Sequence, residues 1–395
     1  MINFQEIASR LEQQRQEFPG LANKVYFNFG GQGTLPRSAL EAIIDAHKFL
    51  QQQGPFSLRV NSWIQQKVAL LRQDLAQEFN VDPDTMTLTE NVTIGCNIVL
   101  WGINWQEGDR ILMTDCEHPG VIAIVQEIAR RFAVKVDICP ILDTLNQGNP
   151  TAVIENALTP NTRLVILSHL LWNTGQVLPL GEIVKVCHGY RDHPIPILVD
   201  AAQSAGSLPL DLTSLGVDFY AFTGHKWFCG PAGVGGVYIR PESFHLLNPT
   251  FIGWRGIDID DQGQPIAWKN DGRKFEVASS AYPQYEGLRA ALAVHKNWNC
   301  TQNRYQQICQ LSEYLWQGLS EIEGIQCLKN SPPEAGLVSF QVQANLSHEQ
   351  LVKQLENEGF LLRKLYHPDC IRACIHYFTL PAEVEQLIAA LKGLL

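Results

Sequence analysis

The runs IPILVDAAQSAG (195–206) and DFYAFTGHKWFCGPAGVGGVYIR (218–240) decide how this chain is read. One apolar run closes on Asp200 and a second on Thr223-Gly224-His225-Lys226, after which a glycine-rich turn feeds a third, Val234 to Ile239. The first two are expected to be buried strands, each delivering a polar group at its carboxyl end. Lys226 is unusual in its setting, between His225 and the apolar pair Trp227-Phe228. Desolvation beside another cationic group lowers an ammonium pKa, and the neutral amine is the form that bonds to a carbonyl carbon. A pyridoxal phosphate (PLP) ring held that way also needs a carboxylate facing its pyridine nitrogen, and Asp200 is the candidate. Taken singly, Asp200 as a turn cap and Lys226 as a solvated lysine are the plainer readings. The order Asp, Ala-Ala-Gln, hydroxyl-Gly-His-Lys, Gly-Pro-x-Gly is far more specific than either residue.

Asp200-Ala-Ala-Gln203 followed by Thr223-Gly-His-Lys226 resembles the class V aminotransferase and cysteine desulfurase family, and within it the L-cysteine/cystine carbon-sulfur lyases. The resemblance implies an α/β protein of aspartate-aminotransferase-like fold (PLP fold type I). A large domain with a mostly parallel, seven-stranded type of sheet is expected beside a smaller α/β domain. The expected division is 1–24 for an N-terminal helix packing with the small domain, 25–280 for the PLP-binding domain and 281–395 for the small domain.

Length agrees, since 395 residues exceed what one growing core accommodates. A net charge of −10 and a pI near 5.6 argue against nucleic-acid or anionic-membrane partners. An anionic amino acid must then be drawn in by local positive groups. Ten cysteines stand singly, without CxxC or zinc-like spacing, which suits a reducing compartment; neither a disulfide framework nor a metal site is expected. The first residues are polar and helix-patterned rather than a signal peptide, and no apolar run approaches membrane-spanning length, so the expectation is a cytoplasmic protein.

Residues 3–18 pattern as an amphipathic helix with Phe4, Ile7, Leu11 and Phe18 on one face. VYFNFGGQGTLP (25–36) lacks the third glycine of a dinucleotide loop, so Gly30 and Gly31 are read as close backbone approach to a ligand. In TMTLTENVTIGCNIVLW (85–101), Thr93 and Gly95 lie at an expected helix start, where free amides favour an anion. The family uses the matching segment for the cofactor phosphate. Strands are expected at 110–115, 134–139, 163–168, 196–200, 218–222 and 234–239. Ligands of such sheets bind beyond the carboxyl ends of the strands, where His118, Asn173, Asp200 and Lys226 all fall.

The resemblance implies further roles. His118, in CEHP (116–119), lies flat on the cofactor ring and serves in proton transfer. Thr223, His225 and Thr93 belong to the cofactor site, and Asn173 and Gln203 are candidates for the cofactor's phenolic oxygen, Gln203 the better. Trp254, in FIGWRG (251–256), is either a core plug or a wall of the substrate pocket, and Gly31 lies on the substrate-entry side. Ser279, in FEVASS (275–280), matches the hydroxyl that reaches the neighbouring subunit's phosphate, which implies a homodimer with a shared active site. Arg372, in IRACIHYF (371–378), matches the arginine that takes the substrate carboxylate, a fork that lysine cannot make.

Desulfurases of this family carry a sulfur-accepting cysteine on a loop shortly before that arginine. Here eight residues separate Arg363 from Arg372, and Cys370 stands two before it. The expected reaction is therefore β-elimination from L-cystine or L-cysteine, giving pyruvate, ammonia and cysteine persulfide or sulfide, with Lys226 removing the Cα proton. A desulfurase using Cys370, an aminotransferase or epimerase of the family, and a catalytically silent binding protein stay open, as does a sulfur acceptor for iron-sulfur assembly as partner.

Overall fold

The computed structural model describes residues 4–191, 193–343 and 345–395; the side chains of Phe4 and Ile7 lie outside the described residues. Seven strands form the main sheet: β1 (Met86–Thr89), β2 (Arg110–Thr114), β3 (Lys135–Cys139), β4 (Thr162–Ser168), β5 (Ile197–Asp200), β6 (Phe219–Thr223) and β7 (Gly235–Ile239). Their order is β1-β7-β6-β5-β4-β2-β3. Strands β6, β5, β4, β2 and β3 run parallel, while β7 is antiparallel to both its neighbours. The expected strands are all present, their ends displaced by a residue or so.

Both faces of this sheet are covered. Along β4, Val165 and Leu167 enter one core with Ile197, Val199, Tyr220 and Phe222, whereas Leu164 and Ile166 enter the other with Leu198, Phe219 and Ala221. Burial on two sides is why these strands read as unbroken apolar runs rather than alternating ones. It also sends their polar groups to the ends: Thr114, Ser168, Asp200 and Thr223 close β2, β4, β5 and β6 along one edge.

A second, antiparallel sheet has the order β8-β9-β11-β10, built from β8 (Ile325–Cys327), β9 (Leu337–Val342), β10 (Arg363–Tyr366) and β11 (Asp369–Cys374). Its core joins Val338, Phe340 and Ile371 to Leu315, Leu319, Leu387 and, from near the amino end, Phe27. Val25–Tyr26 pairs parallel with Phe360–Leu361 and Asn28 bridges to Cys374, so the chain leaves this sheet just before Gly30. The helix Phe4–Arg15 is tied to the far end of the sequence. Arg10 donates to the Trp298 carbonyl at 2.6 Å, and Arg15 donates to that of Phe378 and pairs with Glu383.

One expectation is corrected. The helical pattern running from Tyr285 through Leu319 is two helices, Tyr282–Trp298 and Thr301–Ser320. Asn299 between them is extended, and its side-chain oxygen accepts from Cys300 N and Asn303 Nδ2, a local bond that competes with the helix ladder.

Candidate active site

The turn after β6 presents Lys226. Gly33 N donates to the His225 carbonyl at 2.7 Å, and a Cβ on Gly33 would stand 2.1 Å from the Lys226 carbonyl oxygen, so only glycine fits there. Among the described residues the Lys226 amine makes no hydrogen bond or ion pair. Burial pushes its pKa down to about 8, the charge of Asp200 opposing and those of Arg372 and Arg363 assisting. His225 is pushed down to about 4 by burial and by Lys226, and its Nδ1 lies 2.7 Å from Thr223 Oγ1.

Asp200 is buried at the end of β5, and one of its oxygens accepts from Ala202 N at 2.9 Å. A second buried carboxyl, Glu117, lies near enough for the two charges to interact. It accepts from Thr114 Oγ1, Ser168 N and Ser168 Oγ, and burial raises its pKa to about 7 against those bonds. Sequence reasoning gave Glu117 no role of its own.

His118 caps the helix Pro119–Phe132: its Nδ1 accepts from Gly120 N at 3.1 Å. An accepting Nδ1 leaves the proton of the neutral ring on Nε2, where it is available to donate. Burial and the charge of Lys226 lower its pKa and favour that neutral form. A Cβ on Gly120 would lie 3.2 Å from His118 Nδ1 and 3.6 Å from Thr93 Oγ1, so Thr93 is close by. Thr93 occupies the first turn of the helix Val92–Gly102, but the capping side chain is that of Asn91, which accepts from Ile94 N.

Arg372 is 2% exposed; one Nη donates to the Trp172 carbonyl at 2.8 Å, and its Nε has no partner among the described residues. Trp172 in turn meets the His118 ring edge-on at 5.6 Å, and Asn173 donates to the His367 carbonyl while its Oδ1 stays unpaired. Gln203 donates to the Gly30 carbonyl and accepts from Trp227 Nε1, so one amide hydrogen remains free. A Cβ on Gly30 would lie within 3.0 Å of Cys374, Gln203 and Arg372, whereas one on Gly31 would meet Asn28. Gly30 is therefore the close-approach glycine at the arginine. Sequence reasoning also passed over Arg363, which pairs directly across from Arg372 in the β10–β11 register and makes no ion pair among the described residues. Two arginines nine apart around a turn residue were the available signal.

The remaining expectations divide. Cys370 is fully buried within β11 and burial pushes its thiol up to about 12. Trp254 is 59% exposed, with Arg255 over its ring, which rules out a core plug. Ser279 is exposed and makes no hydrogen bond among the described residues to the groups above.

The donor set fits a pyridoxal phosphate. It offers an unpartnered, readily neutralised lysine, a buried carboxylate with an oxygen to spare, a helix amino terminus beside Thr93, and a buried guanidinium with donors left over beyond its one bond to the Trp172 carbonyl. The chain matches the aminotransferase class-V family over residues 25–386 and belongs to that family. In three dimensions it is similar to C-DES, a cystine C-S lyase, at 57% identity. One C-DES structure, a lysine variant with glycine covalently linked to the PLP cofactor, covers 96% of this chain and 99% of its own at a TM-score of 0.95. Another, in complex with the reaction product cysteine persulfide, covers 95% and 99% at 0.94. Among sequences, a probable cysteine desulfurase of Xylella fastidiosa is 27% identical over 81% of this chain and 78% of its own length.

Proposed function

We propose that this protein is a PLP-dependent lyase that cleaves L-cystine by β-elimination, with L-cysteine as a lesser substrate. The balance is cystine plus water to pyruvate, ammonia and cysteine persulfide. Bound beside Lys226, the cofactor supplies an electron sink for the charge left when the Cα proton departs, from which sulfur leaves Cβ. Arg372 takes the substrate carboxylate, and the Lys226 amine, neutral near pH 8, receives the Cα proton. Asp200 would hold the cofactor's ring nitrogen, Thr93 its phosphate, Thr223 and His225 would complete the cofactor site, Gln203 with Asn173 would serve the phenolic oxygen, and the Nε2 proton of His118 would be available to the departing sulfur.

The observation that carries this reading is the hairpin β10–β11. Where the desulfurase reaction needs a mobile thiolate, Cys370 is locked in a strand with its thiol kept protonated. A desulfurase remains the second reading, favoured by relatives of that name. We read the exposed Phe251, Ile252, Trp254, Ile266 and Trp268, with Ser279 near them in sequence, as the face of a homodimer that completes its neighbour's site and pocket wall. Ten free cysteines accord with a cytoplasmic location, and the persulfide is a sulfur source for iron-sulfur assembly.

The test is the visible spectrum. The purified protein supplied with pyridoxal phosphate is expected to absorb in the visible and to release pyruvate from cystine, and Lys226→Ala to lose both. A Lys226→Ala protein that keeps the wild-type chromophore and turnover would exclude the assignment.

A further inference from the structure

Two buried imidazoles behind the lysine have no part in the chemistry above. His295, on the helix Tyr282–Trp298, and His376, two residues after β11, are 3% and 1% exposed, their rings 5.5 Å apart and nearly parallel. His376 Nε2 lies 3.0 Å from the carbonyl of Trp227, and His295 Nε2 lies 2.9 Å from that of Phe228. These are the two residues that follow Lys226. A carbonyl oxygen only accepts, so both Nε2 atoms carry the proton. Both Nδ1 atoms then accept, from Tyr377 N at 3.1 Å and from the Tyr377 hydroxyl at 2.9 Å.

Cys229 completes the trio, with the nearest donor atoms of all three within 4.8 Å of one another. Its composition is that of a metal site, yet every imidazole nitrogen is already engaged, which leaves no lone pair for a cation. The other groups facing the rings are the Tyr377 hydroxyl, which is neutral, and the Arg304 guanidinium, whose charge disfavours an imidazolium. Burial holds His295 well below its ordinary range and His376 down to about 3. The pair is thus a neutral clamp on the Trp227 and Phe228 carbonyls, added to the Gly33 N–His225 carbonyl and Trp227–Gln203 bonds that already hold the loop.

We propose that His295 and His376 are positioning residues for Lys226, gripping the two carbonyls after it and tying its loop to the strand that bears Arg372. His376 stands four residues beyond Arg372, so one short path of covalent and hydrogen bonds joins the guanidinium that fixes the substrate carboxylate to the amine that takes its Cα proton. A small shift of that amine is costly to rate, because proton transfer needs the donor and acceptor in register. The role rests on the reading of Lys226 given above, but its test does not depend on turnover alone.

The experiment compares His376→Leu and His295→Leu, which lack the donor, with His376→Gln and His295→Gln, whose amide still reaches the carbonyl. In the apoprotein, the titration midpoint of the Lys226 amine is read by NMR after isotopic methylation of lysines. Release of the loop into water is expected to raise that midpoint by about half a unit or more in the Leu variants. With cofactor added, kcat for cystine is expected to fall about tenfold while KM stays within about twofold. The Gln variants are expected to restore both. Leu variants that melt earlier but leave the midpoint and kcat unchanged would reduce the pair to packing and overturn the proposal. Should the Leu variants not fold, nitrogen NMR of the unmutated apoprotein decides: both rings must be Nε2–H and neutral from pH 8 to 5, and a charged or Nδ1–H ring overturns the clamp. Failure of the cofactor assignment shows instead as a wild-type chromophore in Lys226→Ala, whatever the tautomers.

Discussion

Two guanidinium groups on adjacent strands repel one another unless an anion lies between or beyond them, and Arg363 opposite Arg372 is such a pair. Cystine carries two α-carboxylates, and on the proposed reading each arginine would take one. Replacing Arg372 by lysine keeps the charge and loses the fork, so kcat/KM for cystine is expected to fall roughly tenfold to a hundredfold, the equivalent of one charge-assisted hydrogen bond. Arg363→Ala is expected to raise KM for cystine several-fold and to change cysteine, which has a single carboxylate, much less; equal effects on both in steady-state assays would deny Arg363 the distal role. Lys226 and Asp200 stood out in the sequence because Asp, Ala-Ala-Gln, hydroxyl-Gly-His-Lys and Gly-Pro-x-Gly follow in one order, which the plainer readings of either residue alone do not explain. Arg363 and Glu117 were passed over: the first owes its position to strand register, signalled only by two arginines nine apart, and the second to a bond network with Thr114 and Ser168 that has no linear signature.

Strands buried on both faces announce themselves as apolar runs, which is why β2 and β4 to β7 were found nearly to the residue; β3, an edge strand with Lys135 and Ile138 exposed, followed from the strand-helix alternation instead. Helix ends are governed by single side chains and were read less well. The helix Val92–Gly102 begins where Thr93 and Gly95 were expected, but its cap, Asn91, was not singled out, and Asn299 splits what patterns as one long helix. The cap has a measurable consequence. Asn91→Ala is expected to cost about 1 kcal/mol of stability in denaturant titration. By loosening the first turn it should also weaken retention of pyridoxal phosphate on dialysis; retention at the parental level would detach that helix from the phosphate. In sequence, the eight residues between Arg363 and Arg372 show only that they are too few for a long mobile loop; that they form the hairpin β10–β11 comes from the structure.

Across the molecule, buried histidines dominate the response to acid. His169 and His376 are pushed down to about 4 and about 3 by burial, and His295 lies well below its ordinary range. The unfolded chain therefore takes up protons at these sites first, and the stability they confer, present above about pH 6.5, drains away as pH falls toward 4. Glu117, raised to about 7, works in the opposite sense between pH 7 and 4.5. With His225, also pushed down to about 4, four histidines against one carboxyl leave a net three protons, so stability is expected to drop by about 4 kcal/mol per pH unit between 6.5 and 4.5. A melting temperature that stays flat across that interval would show those rings to be hydrated. The claim on which the whole reading turns is that carbon–sulfur cleavage here needs no protein thiol. It is tested by quantifying the products of cystine and cysteine turnover for the holoenzyme and for Cys370→Ala. Pyruvate and ammonia in equal amounts, at the same rate in both proteins, are predicted; alanine as the product, with its formation lost in Cys370→Ala, would contradict the account.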